Sequence, residues 1–244
     1  MTLPDESSPA ELPDSSNPST EMDATPAIPV SATLEEALAK AGIELPANQV
    51  KLIDGYVRRL WAWNEKINLT RHTDYDKFVG RDLADSMQLA KLLHPEEEIL
   101  DVGTGGGVPG LLIAILRPDV TVHLCDSVQK KVRVVQEIAK ELKLPVTVIA
   151  DRAESQLRDY RYDAIVSRAV GPIAKMLTWF KPFWASIGRL LLVKGPRWEE
   201  EKEEARSANL LPQLQVKKVA EYPMPGTESN SVIIKVWHRG APEK

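Results

Sequence analysis

The fold of this chain is decided by the stretch Ile99-Leu100-Asp101-Val102-Gly103-Thr104-Gly105-Gly106-Gly107-Val108-Pro109-Gly110. An apolar strand ends at an acidic residue, a glycine turn follows, and an apolar helix runs from Leu111 to Leu116. The glycines permit positive φ and let a ligand approach the backbone closely, and Pro109 suits the first turn of a helix. We expect the helix N-terminus to present free N–H groups to an anionic group. The stretch predicts a nucleotide-type site on the first strand–turn–helix unit of an α/β sheet.

A tight turn between packed elements is the alternative interpretation, because glycine-rich turns are common. Three observations favour the ligand site. Asp101 precedes the first glycine, four of the five residues from Gly103 to Gly107 are glycine, and Asp126 ends the next strand.

The composition fits a folded α/β protein. The 244 residues permit one large α/β domain or a main domain with a helical extension, and 43% of them are hydrophobic, enough for a sizeable core. No apolar run approaches the length of about 20 residues that a membrane span requires. The single cysteine, Cys125, excludes an internal disulfide, and we expect a buried thiol. The four histidines have no metal-ligand spacing with Cys125 or with one another, so we expect no metal site.

The first 30 residues differ from the rest of the chain. They are rich in Pro, Ser, Asp and Glu and hold six acidic residues and no Lys or Arg. Such a segment cannot bury enough apolar surface to offset the entropy cost of ordering. We therefore expect a disordered acidic tail over residues 1–30, a helical extension over 31–95 and an α/β domain over 96–244, the last two packed as one unit.

The acidic tail also explains the net charge of −4. Without its six acids, 29 of the 35 Asp and Glu residues remain against 31 Lys and Arg residues, so the charge is no objection to a nucleic-acid partner. The N-terminus lacks the features of a secretory signal or an organelle transit peptide, and we expect a cytoplasmic protein.

Helix signals dominate up to residue 95, and strands alternate with helices after it. Thr33-Leu34-Glu35-Glu36 predicts a capping box that opens a short helix, Pro46 opens a longer helix, and a third is expected from about Asp74 to Leu92. The predicted strands are Ile99–Val102, Val120–Cys125, Val146–Ile149, Ala164–Ser167, Arg189–Val193, Leu214–Glu221 and Ser231–Trp237. The later predicted helices run from Ser127, as a cap, to about Leu142, from Pro172 to Trp184, and from Glu199 to Ala208. This alternation predicts a mainly parallel sheet, covered on both faces, that ends in a hairpin.

Four loops are expected to meet at the carboxyl ends of the strands, where ligands of such sheets bind. They are Gly103–Val108, Asp126-Ser127, Asp151–Glu154 and Ser167–Ala169. Asp126 follows the glycines by about 20 residues, where a carboxylate can accept from both ribose hydroxyls. The third loop suits the flank of an adenine or is an ordinary polar loop. The arginine of the fourth can contact a cofactor or an RNA phosphate, and Lys194 is interpreted as a strand-end lysine in solvent.

The acidic residue before the glycines separates two classes of cofactor. A pyrophosphate needs a compact G-x-G-x-x-G turn, and Asp101 would repel it. The same carboxylate can help to hold the cationic methionine end of S-adenosylmethionine, directly or through water. The late hairpin also fits a methyltransferase sheet better than a dehydrogenase sheet.

A specific, ordered set of motifs extends along the chain. It comprises Asp101–Gly110, Leu124–Ser127 with Lys130–Arg133, Arg152–Glu154, Val166–Val170 and Gly188–Gly195, with Asn64–Thr70 and Asp85-Ser86 in the helical region. This set resembles the ribosomal RNA small subunit methyltransferase G family, also called glucose-inhibited division protein B, over about residues 33 to 237. The resemblance implies a Rossmann-like class I S-adenosylmethionine-dependent methyltransferase fold with a seven-stranded, mainly parallel sheet, which makes 96–244 the methyltransferase domain. It also implies methyl transfer from S-adenosyl-L-methionine to N7 of a guanine in 16S rRNA.

The resemblance also assigns residues and partners. It carries cofactor binding onto Gly103, Val108, Ala153, Glu154 and Arg168, and similarity to the wider methyltransferase class adds Asp101, Gly105 and Asp126. The partner is 16S rRNA or the small ribosomal subunit particle, with no membrane partner, and we expect a monomer.

One departure from the family lies in the third predicted helix. The family usually has a His after the arginine that matches Arg81, and this chain has Asp82. The basic residues Lys77, Arg81 and Lys91 of this helix can meet RNA phosphates or form a solvated face, and Asp82 weakens the RNA interpretation.

The implied chemistry needs no general base, because guanine N7 carries an in-plane lone pair and no proton. We therefore name no catalytic residue, and catalysis would depend on alignment and charge stabilisation. Trp179, Phe180 and Phe183 can stack a flipped base, although aromatic residues on one helix face are more often core. Two alternatives stay open: a non-catalytic ribosome-assembly factor that binds S-adenosylmethionine, and a nicotinamide-dependent oxidoreductase, which Asp101 disfavours.

Overall fold

The computed structural model describes residues 30–225 and 228–240. Apart from Val30, the predicted acidic tail lies outside these residues, so its disorder and the proposed domain bounds stay predictions. Within the described part of the chain, no helix combines the length and the apolar character that crossing a bilayer requires.

In the described residues, one sheet of seven strands forms the centre of the protein. The strands are β1 (Glu98–Val102), β2 (Thr121–Cys125), β3 (Val146–Ile149), β4 (Tyr162–Arg168), β5 (Ile187–Lys194), β6 (Leu214–Pro223) and β7 (Asn230–His238). Their order across the sheet is β3-β2-β1-β4-β5-β7-β6. The first five strands pair in parallel, and β7 lies antiparallel between β5 and β6. This arrangement confirms the predicted seven-stranded, mainly parallel sheet and its terminal hairpin.

Helices cover both faces of the sheet. They are α1 (Leu34–Lys40), α2 (Ala47–Asn64), α3 (Tyr75–Lys77), α4 (Ala84–Ala90), α5 (Gly110–Leu116), α6 (Gln129–Glu141), α7 (Ala153–Asp159), α8 (Ile173–Phe180) and α9 (Trp198–Ser207). A π-helical turn, Phe78–Leu83, joins α3 to α4, and a 3-10 helix, Lys181–Ser186, follows α8. Apolar side chains of α1 to α6 pack in one core against one face of the sheet, and those of α7 to α9 pack in a second core.

The predicted starts of α1 and α2 are confirmed. The Thr33 hydroxyl accepts from the Glu36 amide at 3.2 Å, and the Glu36 carboxylate accepts from the Ala32 amide at 2.8 Å, close to the expected capping box. Pro46 is the residue that precedes α2.

Besides the π-helical turn within the helix predicted from about Asp74 to Leu92, three elements differ from the predictions. Ser127 does not cap α6, because that helix begins at Gln129 and the amide of Val128 donates instead to Asp126 Oδ1 at 2.8 Å. Residues 153–159, whose start was interpreted as a loop, form α7. The helix predicted to run to Trp184 ends at Phe180 and continues as the 3-10 helix.

The helical extension packs directly on the glycine turn. The buried Tyr56 of α2 donates its hydroxyl to the Gly106 carbonyl at 2.9 Å. A Cβ at Gly106 would lie 2.9 Å from Leu60 Cδ1 and 3.4 Å from Leu69 Cβ, so any larger residue would have to displace the Leu60 side chain. Side chains of α1, α2 and the sheet belong to the same core.

A buried ion pair ties β5 to the residue that precedes β1. Arg189 is 4% exposed and Glu97 is 3% exposed, and the guanidinium donates to both carboxylate oxygens at 2.8 and 2.7 Å. Burial opposes ionisation of Glu97, but hydrogen bonds from Arg189 and the His94 amide outweigh it and hold the pKa of Glu97 below its ordinary value. A buried carboxylate of this kind destabilises the fold when its partner is removed, because its charge is then buried without compensation.

We expect Arg189→Met to lower the free energy of unfolding by about 3–5 kcal/mol at pH 7, because Glu97 would stay buried without a partner. Urea denaturation measures the loss, and Arg197→Met, which removes an arginine from an exposed pair with Glu200, serves as the control and should lose far less. Because the folded-state pKa of Glu97 is lowered, its pairing stabilises the protein above its unfolded pKa. The difference in the free energy of unfolding between wild type and Arg189→Met should therefore become smaller as the pH falls below about 4. Equal losses in the two variants would contradict the prediction.

Candidate functional site

Three adjoining hollows lie at the carboxyl ends of the parallel strands. The first, here called the cleft, has a volume of about 400 Å³ and lies beside the ends of β1, β2 and β3. The second, the glycine pocket, has a volume of about 190 Å³ and is formed by the glycine turn and the loop after α2. The third, the groove, has a volume of about 880 Å³ and lies between residues 68–72 of the extension and the ends of β4 and β5.

Seven of the eight residues that sequence analysis assigned to a cofactor line the cleft or the glycine pocket. They are Gly103, Gly105, Val108, Asp126, Ala153, Glu154 and Arg168. Asp101 is the exception, because its side chain is fully buried beneath the turn. The convergence follows from the parallel sheet, which brings the carboxyl ends of neighbouring strands to one edge.

The backbone amides of the glycine turn are largely bonded within the protein. Those of Gly103 and Thr104 donate to the Cys125 carbonyl, and that of Gly105 donates to Asp126 Oδ2. The amides of Gly107 and Val108 donate to the Thr104 carbonyl, that of Leu111 to the Gly107 carbonyl, and that of Gly110 to Asp101 Oδ2 at 2.9 Å. The expectation of free N–H groups is therefore wrong for the first two amides of α5, which are bonded to the Asp101 carboxylate and to the Gly107 carbonyl.

Burial dominates the electrostatics of Asp101. Removal from water raises the pKa of its carboxyl group to about 7, and the hydrogen bond from the Gly110 amide only partly opposes this effect. A Cβ at Gly110 would lie 2.7 Å from Asp101 Oδ2, so the contact leaves no room for a larger residue. The carboxylate holds the start of α5 against the end of β1.

Gly105 faces open space inside the glycine pocket. Its φ is +57°, and the closest atom to a Cβ at this position is the Gly103 carbonyl oxygen at 3.9 Å. At Gly103 a Cβ would lie 2.4 Å from Val170 Cγ2, so that glycine is required by packing against the loop after β4. The two glycines differ, since Gly103 lets the loop after β4 approach the turn and Gly105 leaves open volume in the glycine pocket.

Asp126 organises the end of β2. Its Oδ2 accepts from the Gly105 amide at 2.9 Å and its Oδ1 accepts from the Val128 amide at 2.8 Å. Each carboxylate oxygen can accept a second hydrogen bond, and the residue lines the cleft. The side chain is thus fixed in orientation by the backbone and still able to accept from a ligand.

The far wall of the cleft contains aromatic residues that the sequence did not assign to it. Ala153 and Glu154 form the first turn of α7, and Trp179 and Phe180 of α8 line the same cleft. Phe180 is fully buried and Trp179 is half-buried, so only part of this face is core. Cys125 lies at the base of the cleft, and burial raises the pKa of its thiol to about 12, which makes it a poor nucleophile.

Arg168 joins the extension to the sheet at the boundary between the glycine pocket and the groove. Its Nη1 lies 2.6 Å from Asp82 Oδ1 and 3.4 Å from Asp85 Oδ2. The hydroxyl of Tyr222 donates to Asp85 Oδ1 at 2.7 Å. Burial disfavours the charge of Arg168, but the two carboxylates outweigh burial and raise the pKa of its guanidinium. Its Nε and Nη2 make no hydrogen bond to residues that the structure describes.

The structure also reveals a histidine–carboxylate pair that sequence analysis missed. His72 Nδ1 lies 2.9 Å from Asp82 Oδ1, and His72 lines the groove. Its position in a loop and the absence of any local motif left no signal in the sequence. Asp82 itself is fully buried, and its Oδ2 has no hydrogen-bond partner among the described residues.

Lys194 is not a solvent lysine as interpreted from the sequence. Its side chain is 9% exposed, and its Nζ lies 2.9 Å from Glu201 Oε2 and donates to the Gly171 carbonyl. It therefore ties the end of β5 to the loop before α8 and to α9.

Known proteins with similar sequences share one description. A family model described as rRNA small subunit methyltransferase G matches residues 49–229. A ribosomal RNA small subunit methyltransferase G from Rhodopirellula baltica is 48% identical over 195 residues, which cover 80% of this chain and 84% of that protein. The protein of the same name from Chromobacterium violaceum is 34% identical over 208 residues, which cover 84% of this chain and 97% of that protein.

A solved structure supports the fold. A co-crystal structure of WbdD with a kinase inhibitor superposes with a TM-score of 0.51 and 15% identity, covering 73% of this chain and 47% of that chain. At this identity the likeness concerns the fold alone. The seven strands, mainly parallel, and the terminal hairpin are those predicted for the class I methyltransferase sheet.

Proposed function

The chain belongs to the rRNA small subunit methyltransferase G family, and from this premise we propose that it transfers a methyl group from S-adenosyl-L-methionine to N7 of a guanine in 16S rRNA. Methylation of small-subunit rRNA follows from the family. The cofactor, the N7 atom and the individual residues are the finer part of the proposal. We also propose that it acts in the cytoplasm as a monomer, on 16S rRNA or on the small ribosomal subunit particle.

The glycine turn carries the cofactor assignment. A pyrophosphate site needs several free amides at the start of a helix, and those of this turn are bonded to Cys125, Asp126, Thr104 and Asp101. The volume in front of Gly105 is available to an uncharged or cationic group, and the buried Asp101 carboxyl lies beneath it. These features support S-adenosylmethionine over a nicotinamide dinucleotide.

The lining residues fit the parts of S-adenosylmethionine in order. Asp126 would accept from the ribose hydroxyls, and Ala153 and Glu154 would flank the adenine. The glycine pocket would hold the methionine part against Gly103, Gly105 and Val108. Arg168 would offer its Nε and Nη2 groups to a carboxylate. Asp101 would support the turn from below.

The chemistry requires alignment more than proton transfer. The cofactor supplies an electrophilic methyl group, and guanine N7 offers a lone pair without a proton. The chain's residues would hold the two groups in line and exclude water from the glycine pocket.

Methyl transfer from labelled S-adenosylmethionine to unmodified 16S rRNA, with detection of 7-methylguanosine by nucleoside mass spectrometry, tests the proposal. Binding of S-adenosylhomocysteine without transfer to naked RNA or small-subunit particles would favour the assembly-factor alternative. Calorimetric binding of NAD in place of S-adenosylhomocysteine would favour the oxidoreductase alternative.

We expect Gly105→Val to abolish binding of S-adenosylhomocysteine in calorimetry, because the branched side chain would fill the pocket. The matched control is Gly42→Val, since Gly42 has a similar φ of +65° and open space around it but lies after α1. Both variants should lose about 1–2 kcal/mol of stability from left-handed backbone strain. Unchanged affinity in Gly105→Val would refute the assignment of this pocket.

Asp126→Ala should weaken S-adenosylhomocysteine binding by roughly 1–3 kcal/mol through loss of charge-assisted hydrogen bonds to the ribose. The single-turnover rate at saturating cofactor should fall much less than the affinity. A collapse of that rate with unchanged affinity would mean that Asp126 takes part in the chemistry.

The rate of single-turnover methyl transfer should lack a steep rise with a pKa between about 6 and 8, the range of a tuned general base. His72→Gln should lower that rate by less than about tenfold and leave the pH profile unchanged, although His72 pairs with Asp82 as a general base often does. A steep rise in the wild type that disappears in His72→Gln would reassign the reaction to a guanine position that must lose a proton.

A further inference from the structure

We propose that the groove between the helical extension and the sheet binds backbone phosphates of the rRNA strand that carries the target guanine, through Arg71, Arg81 and Lys131. The proposal deepens the proposed function and rests on it.

The groove opens into the glycine pocket. Leu69, Thr70, Arg168 and Ala169 line both spaces, so a strand lying in the groove has a base within reach of the pocket. The groove is the larger of the two spaces, about 880 Å³ against about 190 Å³, and the cleft lies on the other side of Gly103. The arrangement matches a small cofactor held on one side and an extended polymer on the other.

The lining of the groove contains two kinds of cation. Arg168 and Lys194 are held by carboxylates from neighbouring elements, Asp82 and Asp85 for the first and Glu201 for the second. Their charges are balanced within the protein and their positions are fixed. They shape the groove, and we do not assign them to the phosphates of the strand.

The other three cations form no ion pair with a carboxylate in the described part of the chain. Arg71 comes from the loop after α2, Arg81 from the π-helical turn, and Lys131 from the first turns of α6. Arg81 is held in place by a contact of its Nη1 with Met224 Sδ. The acidic residue of the lining, Asp85, is already engaged by Arg168 and Tyr222. A chain with a net charge of −4 thus has a positive groove beside its methyl-transfer pocket.

Asp82, which stands where the family usually has a His, does not line the groove. Asp82 is fully buried and contacts Arg168 and His72 beneath the groove. Arg81 points to the groove and Asp82 to the core, so the two neighbours have separate roles. Asp82 is therefore no objection to an RNA contact by Arg81, and of the basic residues predicted on this helix only Arg81 is assigned to the groove.

Basic residues on the same elements supply matched controls. Lys91 follows α4 and Lys140 lies in the last turn of α6, both exposed and outside the groove lining. Lys91→Gln is the control for Arg81→Gln, and Lys140→Gln is the control for Lys131→Gln. Neither control changes a residue assigned to the site.

The test measures the affinity of each variant for an unmodified 16S rRNA transcript at several salt concentrations. Each of Arg71→Gln, Arg81→Gln and Lys131→Gln should weaken binding and make the slope of log affinity against log salt shallower by about 0.7 to 0.9. The affinity for S-adenosylhomocysteine should not change, which also verifies that the variants are folded. Lys91→Gln and Lys140→Gln should bind the transcript as the wild type does.

The outcomes separate this inference from the proposed function. If the wild type methylates guanine N7 and the three groove variants bind RNA with unchanged affinity and slope, the groove assignment is wrong and the function stands. If the groove and control variants lose equal affinity, the attraction is diffuse and the groove assignment is also wrong. If the wild type binds RNA through these three residues but forms no 7-methylguanosine, the groove stands and the methylated position must be revised.

Discussion

The interaction between Arg168 and the carboxylates of Asp82 and Asp85 fixes the geometry of the whole site. It joins the end of β4 to the π-helical turn and α4, and so determines how the extension sits over the carboxyl ends of the strands. Burying three charges costs desolvation energy that their mutual attraction only partly returns. The cluster instead fixes positions, because Arg168 lies where the glycine pocket meets the groove. Both ligand spaces take their shape from it.

The sequence predicted most of the sheet because apolar runs and glycine turns are local signals. All seven strands were expected, with ends within about three residues of those observed. The helix α7 was missed because its seven residues include only two buried side chains, Ala153 and Leu157, too few for a periodic pattern. The π-helical turn was missed because a single turn of that kind carries no signature in the sequence.

The convergence of the candidate site residues was predicted where it depends on strand ends, and their side-chain pairs were missed. Parallel strands bring Gly103, Asp126 and Ala153 to one edge whatever the details of the helices. The pairs His72–Asp82 and Tyr222–Asp85 join residues 10 and 137 positions apart, and neither is a motif. Lys194 was misinterpreted for the same reason, since its partner Glu201 belongs to a different element, α9. The first amides of α5 are not free, because that of Gly110 donates to Asp101, nine residues earlier, and that of Leu111 donates to the Gly107 carbonyl.

The hydrogen bond from Tyr56 to the Gly106 carbonyl has a consequence for how the two ligands influence each other. The turn that borders the glycine pocket and the helix that supports the groove loop share one buried contact and one core. A displacement of the turn therefore cannot leave α2 unchanged. If one ligand shifts this unit and so changes the affinity for the other, the second ligand changes the affinity for the first by the same factor, because thermodynamic coupling is reciprocal. The two proposed binding events, at the cofactor space and in the groove, would thus belong to a single linked equilibrium.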